Sequence, residues 1–190
     1  MPTIYLIRHA EAVPHGDPNF EDDERPLLDL GRKQARQLGA ALMAHGIHFD
    51  AVLSSPLPRA LATAEEILFT MGPTTPEIKT HASLAPGGKA KKIDRLLLKT
   101  EGESIALVGH QPDLGFYAGR LIGSKKAAIA LDKPGVACIE CHDPAGKECG
   151  ELIWIIDRKW FGAEEPRSAD ADEPVMYAKE PALTADGKRT

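Results

Sequence analysis

Three short motifs carry the residues of this chain that are best suited to chemistry. Arg8-His9, Ser55-Pro56-Leu57-Pro58-Arg59 and Gly109-His110 each follow directly on an apolar run. A neutral imidazole nitrogen is a nucleophile that can form a covalent intermediate. Guanidinium groups match phosphate oxygens in charge and geometry. Together these residue types suit the binding of a phosphoryl group and its transfer to a histidine.

The segments around the motifs predict alternating strands and helices. Apolar runs at residues 3–7, 50–53 and 104–108 are typical of strands buried on both faces of a parallel sheet. Helices are predicted for residues 29–44 with Asp29 as N-cap, and around residues 58–68, 93–97 and 114–121. Residues 15–25 predict a long loop and residues 77–80 a short extended piece. Residues 136–142 and 152–156 predict an antiparallel pair joined by a turn at 143–146.

This order of elements predicts an α/β fold of three layers, with helices on both faces of a mostly parallel sheet and an antiparallel edge. In such sheets, ligands bind beyond the carboxyl ends of the strands, where helix N-termini also point. All three motifs follow strands at that edge. The sequence therefore predicts an anion site in which two arginines and two histidines meet.

Composition narrows the class of protein. The 190 residues suit one domain, expected at residues 1–162, followed by a flexible acidic tail at 163–190 that holds seven acidic and four basic residues. A net charge of −5 disfavours bulk binding of nucleic acid. No apolar run approaches the ~20 residues of a membrane helix, and no signal peptide is evident at the N-terminus. A cytoplasmic protein without membrane contact is expected, and nothing indicates its oligomeric state.

Three cysteines raise a separate question. Cys138-Ile139-Glu140-Cys141-His142 matches the short pattern for covalent haem attachment, and Cys149 completes a possible zinc set with Cys138, Cys141 and His142. The segment also reads as a strand, in which residues three apart point to opposite faces. We therefore expect the cysteines to be ordinary strand residues, without a disulfide, a metal or a cofactor.

The motifs in this order and spacing resemble the histidine phosphatase superfamily, also called phosphoglycerate mutase-like. The resemblance rests on Arg8-His9-Ala10-Glu11, on Ser55 to Ala60 followed by Thr63, and on Gly109-His110. The short chain, Arg25-Pro26-Leu27 before Gly31, the Leu84-Ala85-Pro86-Gly87-Gly88 loop and Gln111-Pro112 after His110 are similar to SixA-type phosphohistidine phosphatases. The resemblance spans about residues 3–156. It implies a phosphoglycerate mutase-like fold with a minimal lid.

The resemblance also implies roles for single residues. His9 attacks phosphorus and is transiently phosphorylated, while Arg8, Arg59 and His110 hold the phosphoryl oxygens, with no metal or cofactor. Arg25 matches an arginine that approaches the phosphate in SixA-like members. Because His9 must be neutral to attack, kcat/KM is expected to fall on acidification, and a profile level from about pH 5 to 8 would speak against this role.

The general acid is less defined. Larger members of the superfamily supply a carboxylate from a segment inserted after the second helix, and here that stretch is short. Asp22, in the acidic run Glu21-Asp22-Asp23-Glu24, is the candidate by its distance from Arg25; alternatively, the run is a solvated charge cluster. The bond between phosphorus and nitrogen in a phosphoramidate breaks readily. A weak general acid therefore slows the hydrolysis of a phosphoramidate less than the hydrolysis of an alkyl phosphate ester.

Three functions compete on this basis. The first is a phosphatase for phosphohistidine in a protein, such as a phosphorelay domain, whose side chain an open pocket would admit. The second is a phosphatase for small metabolites or nucleotides, with Lys89, Lys91 and Lys92 binding extra phosphate. The third is a phosphate-binding module without turnover, suggested by the undefined acid and by Ala10 where the superfamily usually has glycine.

Overall fold

Six strands form one sheet in the part of the chain that the computed structural model describes, namely residues 1–124, 127, 129–142 and 150–161. They are β1 Thr3–Arg8, β2 Ala51–Ser54, β3 Ile78–Thr80, β4 Ser104–Gly109, β5 Val136–Cys141 and β6 Gly150–Ile156. The spatial order is β3-β2-β4-β1-β5-β6. The strands β3, β2, β4 and β1 pair with one another in parallel. The strand β5 pairs antiparallel with both β1 and β6. The predicted mostly parallel sheet with an antiparallel edge is confirmed.

Within the described ranges, four α-helices cover the two faces of this sheet. The helices α1 Asp29–Ala44 and α2 Pro58–Met71 pack on one face, and α3 Ala90–Leu97 and α4 Asp113–Leu121 pack on the other. Short 3-10 turns occur at Asp22–Glu24, Ala82–Leu84 and Arg158–Trp160. The predicted three-layer α/β fold is therefore confirmed.

The central strand β1 explains why the layers form. Ile4 and Leu6 point into the core beneath α3 and α4, whereas Tyr5 and Ile7 point into the core beneath α1 and α2. Each of these buried side chains stabilises the fold by roughly 1.5–3 kcal/mol relative to an exposed one. Packing on both faces fixes the position of β1, and with it the start of the loop that follows Arg8.

One helix boundary differs from the prediction. Asp29 is the first helical residue of α1, and Leu28 is the N-cap, without a side-chain capping bond. The backbone N–H of Leu28 donates to the carbonyl of Glu11 at 3.0 Å, which holds Leu28 extended. The contact with the loop after β1, and not a capping carboxylate, sets the start of this helix.

Several expectations fall outside the described residues: the turn at 143–146, Cys149 and the tail at 163–190. Among the residues that are described, none of the helices has the length and apolar character needed to cross a membrane.

Gly31 permits the close approach of α1 to the loop after β1. A Cβ atom built on Gly31 would lie 2.0 Å from the carbonyl oxygen of Glu11, which is backbone and cannot turn aside. The same carbonyl accepts the N–H of Leu28. A side chain at position 31 therefore has to separate α1 from the loop that carries His9.

We expect Gly31→Ala to lower the free energy of unfolding by about 1–3 kcal/mol, because overpacking forces backbone shifts of this cost. Urea denaturation measures the change. Lys33→Ala on the exposed surface of the same helix is the control. Equal midpoints for Gly31→Ala and Lys33→Ala would contradict the contact.

Candidate active site

His9 lies at the carboxyl end of β1 and is 6% exposed. Its backbone N–H donates to the carbonyl of Gly109 at 3.0 Å, which ties it to the end of β4. Nδ1 of its ring is 2.7 Å from the carbonyl oxygen of Ala10. A carbonyl only accepts, so Nδ1 carries the proton in this contact, and Nε2 keeps a lone pair. The ring is thus fixed in the tautomer that leaves Nε2 able to attack.

Thr63 of α2 fastens the loop after β1. Its hydroxyl donates to the carbonyl of Arg59 at 2.7 Å and accepts the backbone N–H of Ala10 at 3.0 Å. Ala10 is fully buried at this junction. A single hydroxyl therefore couples the residue after His9 to the first turn of the helix that carries Arg59.

Glu11 also holds the loop. Its backbone N–H donates to the side-chain oxygen of Gln34 at 3.2 Å, and its carboxylate pairs with Lys133 at 3.3 Å. These contacts direct the Glu11 carboxylate to Lys133 and not to the histidine.

The two arginines of the motifs are held by carbonyl groups. Nη1 of Arg8 donates to Leu131 at 2.7 Å, and Nη1 of Arg59 donates to the carbonyl of Asp22 at 2.7 Å. Within the described part of the chain, the Nε atoms of both arginines are buried without an acceptor. Buried donors are nearly always paired in folded proteins, so this donor set fits an anionic ligand such as a phosphoryl group.

His110 stands beside His9, with the ring centroids 5.1 Å apart. Its Nε2 lies 2.9 Å from the hydroxyl of Ser55, and the Ser55 backbone N–H donates to Val108 of β4 at 2.9 Å. Ser55 and His110 are both buried. The ends of β2 and β4 therefore fix the orientation of this second imidazole.

Asp22 and Arg25 lie on the loop between β1 and α1, next to Arg59. Nε of Arg25 donates to Oδ1 of Asp22 at 2.9 Å, and Nη1 of Arg25 donates to the carbonyl of Val13 at 2.6 Å. Oδ2 of Asp22 is 3.6 Å from Nη2 of Arg59. The same carboxylate also contacts His15, a residue that the sequence analysis did not select, at 2.6 Å between Oδ1 and Nδ1.

Burial and charge keep both site histidines neutral. Burial, with the nearby His110, Arg59 and Arg8, lowers the pKa of His9 to about 3. Burial and the guanidinium groups of Arg59 and Arg25 lower the pKa of His110 to about 3. An imidazole of that pKa stays neutral from pH 5 to 8. A level rate profile in this range is therefore what a buried, neutral His9 predicts, because burial moves its protonation to lower pH.

A cavity of about 530 Å³ lies away from these residues. It opens near the amino end of β1 and is lined by Tyr5, Leu42, Cys138, Trp154 and Trp160, among others. The chemistry-bearing side chains lie at the opposite end of the strand. The cavity is thus not part of the candidate active site.

The two described cysteines diverge as predicted. Cys138 packs in the core beneath α1 and α2, and Cys141 packs in the core on the other face of the sheet. One metal ion cannot bind both sulfur atoms across the sheet. Within the described residues, histidine, cysteine and acidic side chains form no group of three placed to hold a metal ion.

Comparison with known proteins adds the family. The family model of the histidine phosphatase superfamily (branch 1) matches residues 4–85. An uncharacterized protein of Picosynechococcus sp. is 32% identical over 169 residues, an alignment that covers 83% of this chain and 98% of that protein. The chain belongs to the histidine phosphatase superfamily. The matched residues include the motifs of His9 and Arg59, and superfamily membership makes the protein a phosphatase-like enzyme.

Solved structures of the histidine phosphatase superfamily share the fold. The protein histidine phosphatase SixA complexed with tungstate has a TM-score of 0.69 and 20% identity, covering 83% of this chain and 97% of that one. A putative alpha-ribazole-5'-P phosphatase from Escherichia coli has a TM-score of 0.62 and 21% identity, covering 83% and 97%. This histidine phosphatase superfamily member therefore has the phosphoglycerate mutase-like fold. At these identities the likeness concerns the fold alone.

We expect the free energy of unfolding to fall as pH decreases from about 6.5 to 3. In this window His9 and His110 are protonated in the unfolded chain but neutral in the folded protein. Each histidine therefore lowers the free energy of unfolding by roughly 1.4 kcal/mol per pH unit of acidification. His110→Gln removes one of these groups, so its stability should depend less steeply on pH.

Urea denaturation in steps across this window measures the slope. Gln111→Ala is the control, because it disturbs the bonds of Gln111 to Gly115 and Ile129 beside His110 without removing a titrating group. Parallel curves for wild type and His110→Gln would show that burial does not hold His110 neutral.

Proposed function

We propose that this protein hydrolyses phosphorylated substrates through a phosphohistidine intermediate on His9, without a metal ion or other cofactor. The proposal rests on one observation: the bond from Nδ1 of His9 to the carbonyl of Ala10 leaves Nε2 as a free, neutral nucleophile among cationic side chains. Phosphoryl transfer depends mainly on positioning and on stabilisation of charge. Arg8, Arg59 and His110 supply both.

The reaction has two steps. Nε2 of His9 attacks phosphorus as the bond to the leaving group breaks, and Arg8, Arg59 and His110 hold the phosphoryl oxygens. Water then attacks phosphorus, the bond to Nε2 breaks, and phosphate leaves. The positive charge of Arg25 acts on His110 and lowers its pKa. Arg25 therefore adds positive charge at the rim of the site. The histidine is regenerated in its neutral form.

We propose phosphohistidine in a partner protein as the preferred substrate. Only the six residues 72–77 join α2 to β3, so the position of the inserted lid in larger superfamily members is occupied by a short connection. A phosphorylated side chain on the surface of another protein can then approach the site. The fold similarity to SixA, a protein histidine phosphatase, supports the same choice.

A small phosphomonoester is the second candidate. Lys89, Lys91 and Lys92 are exposed at the start of α3. They follow the 84–88 loop, in which the N–H of Gly87 donates to Asp113 at the start of α4. The carbonyl of Leu84 in the same loop lies close to Gly109, the residue before His110. The putative alpha-ribazole-5'-P phosphatase, named for a small substrate, supports this alternative through its similar fold.

His9→Asn should reduce the turnover of every phosphorylated substrate by at least about 10³-fold, because the nucleophile is lost. Acid-labile, base-stable phosphate should appear on wild-type protein quenched during turnover, and not on His9→Asn. The control is His81→Asn, a half-buried histidine whose Nδ1 contacts Ser83. Equal rates for wild type and His9→Asn would exclude the covalent route.

We expect faster hydrolysis of a phosphohistidine-bearing protein domain than of sugar phosphates or nucleotides, measured side by side as phosphate release. If small esters are preferred, replacing Lys89, Lys91 and Lys92 by alanine should raise KM for those esters. An unchanged KM would exclude a role for these lysines. Binding of phosphate or vanadate by calorimetry, without turnover of any substrate, would instead identify a binding module.

A further inference from the structure

The leaving group of the proposed reaction must depart toward the mouth of the site. Attack and departure in phosphoryl transfer lie roughly in line, so the leaving atom is opposite Nε2 of His9. His9 and Arg59 form the buried floor, at 6% and 2% exposure. The side chains of Asp22 and His15 are 42% and 83% exposed, which places them toward solvent. A proton donor for the leaving group is needed at this outer position.

His15 and Asp22 form a pair on the solvent side of Arg59, whose Nη2 lies 3.6 Å from Oδ2 of Asp22. Nδ1 of His15 and Oδ1 of Asp22 are 2.6 Å apart, a short and charge-assisted contact. Asp22 is anchored from the site side, because its carbonyl accepts Nη1 of Arg59 and its Oδ1 accepts Nε of Arg25. The pair is thus attached to the side chain that would hold the phosphoryl group. With Nδ1 engaged by Asp22, Nε2 of His15 is the nitrogen left to transfer a proton.

We propose that His15, oriented by Asp22, donates the proton to the leaving group and afterwards accepts one from the attacking water. This inference rests on the proposed covalent route through His9. It assigns the general acid to an imidazole on the loop between β1 and α1, and it gives Asp22 the part of a positioning residue. The arrangement follows the logic of a catalytic triad, in which a carboxylate holds the imidazole that moves the proton.

The electrostatics favour His15 over Asp22 as the donor. The hydrogen bonds from His15 and Arg25 lower the pKa of the Asp22 carboxyl, and the charge of Arg59 lowers it further. An ionised carboxylate at neutral pH has no proton to donate. The contact with Asp22 engages Nδ1 of His15, and Nε2 of the same ring can give and then take a proton. Arg25 and Arg59 contribute positive charge beside Asp22.

The proton balance closes over both steps. In the first step the bond from phosphorus to the leaving atom breaks, the bond from Nε2 of His9 to phosphorus forms, and the leaving atom takes the proton of Nε2 of His15. In the second step water loses a proton to Nε2 of His15 as its oxygen bonds to phosphorus and the bond to His9 breaks. His15 is protonated again at the end, and no further reactant is required.

A proton donor changes the range of substrates that the site can process. An alkyl oxygen leaves as a strongly basic alkoxide unless it is protonated, whereas an aryl oxygen or a protonated imidazole leaves readily. The pair therefore equips the enzyme for phosphate monoesters of ordinary alcohols. Larger superfamily members carry the general acid in a segment inserted after the second helix, where this chain has only a short connection. The His15–Asp22 pair supplies a general acid from another loop.

The test compares His15→Gln with wild type on an alkyl phosphate and on an aryl phosphate whose phenol is a good leaving group. We expect His15→Gln to lose at least about 100-fold in kcat on the alkyl ester, and far less on the aryl ester. His45→Gln is the matched control, an exposed histidine at the end of α1 that should retain wild-type rates on both esters.

Labelling of His9 separates this inference from the proposed function. If wild-type protein forms no phosphohistidine at His9, the covalent route itself fails. If labelling succeeds but His15→Gln loses activity equally on both esters, or on neither, the role of His15 is overturned. If instead Asp22→Asn loses alkyl-ester activity while His15→Gln retains it, Asp22, the candidate from the sequence, is the donor and the inference is wrong.

Discussion

The crowding of positive charge at one buried point is the constraint on which the rest of the structure depends. Arg59 is 2% exposed and stands with Arg8 and two histidines at the carboxyl edge of the sheet. Adding a proton to either imidazole would place another charge in a poorly hydrated space. The histidines are therefore neutral, which is the state that the proposed attack by His9 requires. The same electrostatics that attract an anion thus also set the protonation state needed for attack.

The scaffold holds this arrangement with backbone atoms more than with side chains. Carbonyl groups of Ala10, Leu131 and Asp22 hold His9, Arg8 and Arg59, and none of them adds a full negative charge to the pocket. A carbonyl oxygen neutralises a guanidinium less than a carboxylate does, and the Asp22 carboxylate is set farther back, with Oδ2 at 3.6 Å from Nη2 of Arg59. The close contact of Gly31 with Glu11 and the hydroxyl of Thr63 then keep the loop in register with both helices.

The sequence predicted the layers and the motif residues because each left a local pattern. The buried run of β1 and the polar residues directly after it are visible without a structure, and the edge rule for parallel strands places His9, Arg59 and His110 together. Other features left no such pattern. The start of α1 was misplaced by one residue because a distant carbonyl, that of Glu11, fixes Leu28.

His15 illustrates the same limit within the site. Nothing in its local sequence separates it from a surface histidine, and its contact with Asp22 depends on the path of the loop across the site. Ser55 and Thr63 were present in the motifs, but their bonds to His110 and Ala10 required the three-dimensional arrangement of β2 and α2. The depth of burial that lowers the pKa of His9 to about 3 was equally invisible in the sequence.

The position of the remote cavity decides what intrinsic fluorescence can report. Trp154 and Trp160 are the two tryptophans of the chain, and both line that cavity near the amino end of β1. The strand rises about 3.3 Å per residue, so Thr3 at the cavity is roughly 16 Å from Arg8 at the other end. The emission of this protein therefore monitors the integrity of the sheet edge formed by β5 and β6. Both indole rings lie away from His9, so the emission does not report directly on ligand binding beside that residue.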